Sequence, residues 1–404
     1  MSRSRFADHE PYIVGVLLAL YGAWLINFAG ILSISPDEAK LLYEGRGFLA
    51  SLVQGSIALF GQSDQALRAP LIVIHLLNLM LFWIILRQER FSVSDRLWSL
   101  ATLMLLPGLN SAALIITKAA LLMSGALWFI LLYTHPKSRQ LSYVVLAILS
   151  IADSSLIALN LGLIFYGLAR KDRLLTAMAL GLFGLGMSLG GANLTGKPRN
   201  YFLDIMGAYG AVFSPFVFLW LVYTLYRYLV IEASKPITWY IALAAFLFSL
   251  LLSFRQRPPI ELFAPFVVLI LPWGVVVLRR SIKRRLPMFR WPYLMLAYLL
   301  GATLIVNFLA TFFNRPFYRM VERPEEHFIW AWDGFRETAL KLKAMGINEV
   351  ESDDPKLQAQ LRFYGIGKGG VWYMSRNPQP MAKVVSIRHN GVEIRRYYVT
   401  KIHK

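Results

Sequence analysis

Apolar residues in this chain arrive in long blocks rather than at the three-and-four spacing of a helix with one wet face. A helix crosses a hydrocarbon core of about 30 Å with roughly 20 residues. Blocks approaching that length recur over 11–33, 69–86, 97–107, 112–133, 141–151, 154–169, 174–192, 210–228, 237–254, 260–278 and 291–313. A soluble domain can bury one such helix but has no interior for so many. The pattern predicts an all-α polytopic membrane protein with about eleven transmembrane helices. Pro107-Gly108 breaks the stretch 97–133, because proline removes a backbone donor and glycine permits the turn. The stretch 141–169 is short for two full spans and reads as a hairpin of short helices turning near Asp153-Ser154-Ser155.

Past residue 313 the apolar runs shorten and charge rises. Phe335–Met345 has amphipathic helical spacing, Asn348–Ser352 reads as a short strand and Lys356–Tyr364 as another helix. Val384–Arg388 and Val392–Val399 flank Asn390-Gly391, the strongest short hairpin signal. The chain thus divides into a transmembrane domain, 1–313, with a long first loop at 34–68, and a small C-terminal α/β domain, 314–404.

Composition agrees, with 57% hydrophobic and 16% charged residues against roughly 25% charged in a soluble chain. There is no cysteine, which excludes disulfides and thiolate metal sites, and no other metal-ligand cluster is visible. The stretch from Pro11 to Leu32 exceeds the ~7–15 apolar residues of a cleaved signal and reads as a retained helix. A net charge of +19 could suggest nucleic acid, but the basic residues sort by loop. Segments 1–10, 87–96, 134–140, 170–173, 227–236 and 279–290 hold 18 Lys and Arg; loops 34–68, 108–111, 152–153, 193–209 and 255–259 hold 7. Cationic loops stay in the cytoplasm. The N-terminus is therefore expected inside and, with an odd number of spans, residues 314–404 outside. Reading 141–169 as one span would move Arg170, Lys171, Arg173 and the cluster Arg279 to Arg285 outside. Membrane lipid, not nucleic acid, is the expected partner of this charge.

The first outer loop opens Ser33-Ile34-Ser35-Pro36-Asp37-Glu38-Ala39. Ser35 suits an N-cap, Pro36 the first helical position, and Glu38 closes a capping box, so local structure alone accounts for every residue. Leu41–Phe60 is apolar but interrupted by Glu44, Arg46 and Gln54, as in a helix lying at the interface. Then come Gly61-Gln62-Ser63-Asp64-Gln65-Ala66-Leu67-Arg68-Ala69-Pro70 and the second span. This order resembles the GT-C class of membrane glycosyltransferases, in particular the bacterial branch akin to protein O-mannosyltransferases and the lipid A aminoarabinose transferase. Ile116–Tyr133, Leu146–Arg170, the basic loop Phe254-Arg255-Gln256-Arg257-Pro258-Pro259, and Gly346–Val350 with Leu361–Gly365 in the tail are similar to later parts of that branch.

The resemblance implies a GT-C-like fold in a bacterial inner membrane and transfer of a sugar from a polyprenyl-phosphate carrier to an envelope acceptor at the outer face. It implies an acidic base at Asp37, with Glu38 beside it as runner-up or acceptor ligand. Arg255 and Arg257, or else Arg68, would hold the lipid phosphate; interfacial anchoring also explains such arginines. No cofactor is implied, and metal dependence stays open. The chain departs from the family in a contracted first loop, in Lys118 where an acidic residue is common, and in Asp153 near the hairpin tip where Lys-Gly-Pro is usual. Lys118 and Asp153 are therefore expected to pair and, with His75, to be candidates for lining a cavity, although a packing role also suits His75. Asp204 and Lys197 read as solvated loop charges, Trp239, Trp291 and Tyr293 as interface belts, and Asn193-Leu194-Thr195 is too common a triplet to use. A non-catalytic relative that binds lipid-linked glycan, or a lipid or glycan transporter, are the competing readings.

Overall fold

The structure, a computed structural model, describes residues 2–190 and 200–401, so Lys197 and the triplet Asn193-Leu194-Thr195 lie outside the described residues. The chain forms two compact units: Met1–Leu20, Val73–Ala113 and Thr117–Phe308 in one, Tyr21–Ile72, Leu114–Ile116 and Leu309–Lys404 in the other.

Among the described residues, four helices are long and apolar enough to cross a membrane: His9–Ala29, Asp64–Gln88, Ala264–Arg284 and Trp291–Phe312. Counting each bent pair as one span raises this to as many as seven. The apolar helices Phe48–Phe60, Ser154–Arg170, Arg173–Ser188 and Ile237–Ser253 are shorter. Hydropathy counts blocks, whereas crossing depends on length and straightness. The hairpin helices Arg139–Ala152 and Ile157–Arg170 have 14 residues each, about 21 Å of rise. Only 11% of the most apolar window of Trp291–Phe312 is buried, which suits lipid and not water.

Proline sets the corners. Val93–Leu105 meets Pro107–Leu114 at 62°, at the break expected from Pro107-Gly108. A span expected over 210–228 is instead two helices, Phe202–Phe213 and Pro215–Val230, turned by 105°. Ser214 between them has φ 72, a left-handed conformation that no helix continues through, and Pro215 starts the next helix without needing a donor. Trp239 is no interface residue: it is 4% exposed, and its indole donates to Leu225 O at 3.0 Å. Trp291, 64% exposed, does sit on the surface.

In the first unit, loops pair within the two sets that their basic content separates. Arg96 Nε donates to Glu10 Oε1 at 2.6 Å, and Arg279 Nη1 reaches Asp95 at 2.6 Å. Thr134 bonds Gln88 at 3.2 Å, and Arg139 bonds Asp172 at 2.5 Å. Loops of the other set bond helix ends: Asp153 meets Lys118, the N-cap of Ala119–Thr134, and Tyr201 N donates at 2.9 Å to the carbonyl of Ser253, the last residue of Ile237–Ser253. The hairpin through Asp153 therefore runs out from one set and back to it.

The second unit carries a four-stranded sheet of order β1 (Glu349–Glu351), β2 (Gly367–Ser375), β4 (Val392–Lys401), β3 (Lys383–His389). β1 runs parallel to β2, with the helix Pro355–Phe363 between them in the chain, and the other pairs are antiparallel. Asn390 and Gly391 both take positive φ, as a two-residue hairpin turn requires. Phe335, Leu342, Val350, Leu361, Met374 and Val399 fill its core. β2 was not foreseen: Gly367, Gly369 and Gly370 interrupt its pattern, and the β1–β2 register shifts after Val350.

Gly162 shows how tightly the short helices pack. A Cβ there would lie 2.5 Å from Ile241 Cα in the helix Ile237–Ser253. Gly162→Ala is expected to cost about 1–3 kcal/mol in thermal unfolding of the detergent-purified protein. Gly181→Ala, where a Cβ meets nothing, serves as the control and should cost nothing.

Candidate functional site

The first loop begins with the cap foreseen for it. Ser35 is the N-cap of Pro36–Glu44; Glu38 N donates to Ser35 Oγ at 3.2 Å, and Ser35 N donates back to Glu38 Oε2 at 2.9 Å. Glu38 is 2% exposed, and its carboxylate also accepts from Arg68 Nη2 at 3.0 Å and Ile116 N at 3.3 Å. Its neighbour Asp37 points away from this cluster. Asp37 is exposed and makes no hydrogen bond or ion pair through its side chain among the described residues.

Arg68 is fully buried, and each of its five N–H groups has an oxygen. Nε donates to Leu114 O at 2.8 Å, Nη1 to Leu32 O at 3.0 Å and Asp64 O at 3.2 Å. Nη2 donates to Ser33 O at 2.9 Å and to Glu38. Arg68, a candidate for the lipid phosphate by resemblance, is buried with all five N–H groups on protein oxygens, which leaves no free donor for a phosphate.

The other charged end of this loop is tied to the C-terminal tail. Tyr364 donates to Asp64 Oδ1 at 2.7 Å and accepts from Ile34 N at 2.9 Å. Burial first, and then the Asp64 charge, push the Tyr364 hydroxyl up, so it keeps the proton it donates. Gln360 donates to Ile34 O at 2.7 Å, Gln62 to Phe363 O at 2.8 Å, and Ser33 N to Trp332 O at 2.8 Å. A polar cavity of about 340 Å³ opens beside this seam, lined by Asn27, Gln62, Ser63, Asp64, Gln65, Arg336 and Tyr364 among others, though not by Asp37. Sequence reasoning missed Asp64, Gln360 and Tyr364, because nothing local links residues some 300 positions apart.

The remaining candidates belong to the first unit. Arg255 and Arg257 are exposed on the turn after Ile237–Ser253, with no ion pair among the described residues. Lys118 Nζ lies 2.9 Å from Asp153 Oδ2, the expected pair, with both side chains partly exposed; Asp153 also accepts from Ser155 N. His75 is fully buried on Asp64–Gln88, and Asn78 one turn on donates to Ala120 O. Asp204 is exposed in the first turn of its helix. Sequence reasoning also missed the Glu10–Arg96 pair, to which Trp83 donates at 2.8 Å. Opposite charges in two segments assigned to one side were the available signal.

No family model and no curated protein matches the chain. Among solved structures it is similar to ArnT from Cupriavidus metallidurans, solved bound to undecaprenyl phosphate, with a TM-score of 0.57 and 12% identity over 96% of this chain and 97% of that one. The chain thus shares the fold of ArnT, mostly helical with a small C-terminal sheet, at low sequence identity.

Two pairs can be tested. Arg68→Met or Glu38→Leu alone should cost about 3–5 kcal/mol in thermal unfolding, and the double variant less than their sum; additive losses would show that the two do not act as a unit. Loss of cellular function in Lys118→Ala should be restored by adding Asp153→Ala, and independent effects of the two would separate them.

Proposed function

We propose that this protein is a glycosyltransferase that moves a sugar from a polyprenyl-phosphate carrier to an envelope lipid, glycan or protein at the outer face of a bacterial inner membrane. Asp37 carries the reading. Of two adjacent carboxylates, Glu38 is consumed by the cap and Arg68, while Asp37 is held on the same rigid turn with its lone pairs free. A base needs that combination of fixed position and open valence. The likeness of fold to a protein solved with undecaprenyl phosphate supports the carrier class.

In this mechanism the acceptor hydroxyl or amine attacks the anomeric carbon and the bond to the carrier phosphate breaks. The phosphate leaves with the electron pair, and Asp37 takes the acceptor's proton. Arg255 and Arg257, exposed and without an ion pair among the described residues, are available to contact a carrier phosphate. Glu38 and Arg68 act as positioning residues. A non-catalytic relative would leave Asp37 buried in capping contacts with no cavity beside it; Asp37 is exposed and Ser35 and Glu38 cap instead, while the polar cavity of this unit is lined by Asp64 and not by Asp37.

The first loop and the tail are bonded to one another, so the chain between them crosses the membrane an even number of times. One further crossing by His9–Ala29 makes the total odd. That parity supports opposite sides for the N-terminus and the 314–404 domain, and the excess of Lys and Arg in the loops on the N-terminal side supports a cytoplasmic N-terminus.

Asp37→Asn should reduce transfer of labelled sugar from undecaprenyl phosphate in membranes by about 10²–10⁴-fold while leaving the melting temperature unchanged. Arg255→Ala with Arg257→Ala should weaken binding of undecaprenyl phosphate. Undiminished transfer by Asp37→Asn would overturn the assignment.

A further inference from the structure

Three residues far apart in the chain converge in the second unit. Asp333 ends the turn before Phe335–Ala344, Glu337 lies in that helix's first turn, and His389 ends β3 at the Asn390-Gly391 hairpin. One ligating atom from each lies within 4.8 Å of the others. His389 Nε2 is 3.2 Å from Asp333 Oδ1.

The cluster leaves polar atoms unsatisfied. Asp333 is 4% exposed, and its Oδ2 makes no close hydrogen bond, although the buried Tyr318 hydroxyl acts on the same carboxylate. Glu337 Oε2 is likewise buried without a donor. Arg315 is the nearby cation, but its Nη2 is 3.7 Å from Asp333 and 3.8 Å from Glu337, beyond hydrogen-bonding distance. Arg395 donates to the Asp333 backbone carbonyl at 2.7 Å and not to the carboxylate. Arg315 offsets the charge of both carboxylates, but a buried oxygen without a donor is still costly unless a ligand completes it.

We propose that Asp333, Glu337 and His389 form a site for one divalent transition-metal ion, Zn²⁺ or Mn²⁺, with water completing the coordination. One imidazole with two carboxylates suits these ions, whereas Ca²⁺ prefers an all-oxygen shell. Ligands about 2.0–2.2 Å from Zn²⁺ sit roughly 3.3 Å apart, so a small closing of the side chains suffices. The ion staples the 333–337 segment to the β3–β4 hairpin. Residues flanking the site already hold the first loop: Trp332 O accepts from Ser33 N, and Arg336 N donates to Ser33 Oγ at 3.2 Å. Metal binding therefore stiffens the turn that carries Ser35 and Asp37.

The full-length, untagged protein in detergent, stripped with EDTA, is titrated with ZnCl₂ and with MnCl₂ by calorimetry and by thermal unfolding. One ion per chain with a rise in melting temperature is expected. Glu337→Gln, on a partly exposed side chain that does not endanger folding, and His389→Gln should each weaken binding at least tenfold and abolish the rise. No binding of either ion, or equal binding by both variants and the parent, would overturn the site.

Discussion

A guanidinium buried without water must find an oxygen for every N–H, and Arg68 finds all five. That demand organises the second unit. Its acceptors come from the end of the first helix, the first loop, the start of Asp64–Gln88 and the short segment Leu114–Ile116, so none can move without stranding a buried donor. The tail adds a second layer through Tyr364 and Gln360, each of which bonds the backbone of Ile34. Polar satisfaction, more than apolar burial, gives this loop a single conformation.

The same clasp separates two neighbouring carboxylates. At the first turn of a helix, the third residue after the N-cap folds back to the cap, while the second points outward. Glu38 therefore faces Arg68, and Asp37 is left open near the positive end of the helix dipole. The proposed role of Asp37 rests on what the structure leaves unengaged. The loops of the first unit follow a similar economy, since Glu10, Asp95 and Asp172 each meet an arginine of a loop in the same set.

At 12% identity this chain and ArnT share a fold while most aligned residues differ. Apolar helices tolerate this because lipid and packing ask only for volume and hydrophobicity, while the polar contacts are specific. The Lys118–Asp153 pair illustrates it: partly exposed and geometrically simple, it can form wherever two facing positions carry opposite charges.

The membrane class, the hairpin over 141–169, the capping box at Ser35 and the Asn390-Gly391 turn were legible in the sequence, because each rests on neighbours within a few residues. The Lys118–Asp153 pairing was legible from two unusual charges. The number of straight spans was not, since the corner at Ser214 depends on a backbone angle that hydropathy does not report. Nor was the fate of Arg68, which read equally as a phosphate ligand until the fold placed five oxygens around it. The cluster of Asp333, Glu337 and His389 was likewise invisible, with His389 lying 56 residues from Asp333. Local patterns specify which elements form and which faces are apolar. Only tertiary structure decides which charges are spent on one another and which are left open, because that choice depends on distances between segments far apart in the sequence.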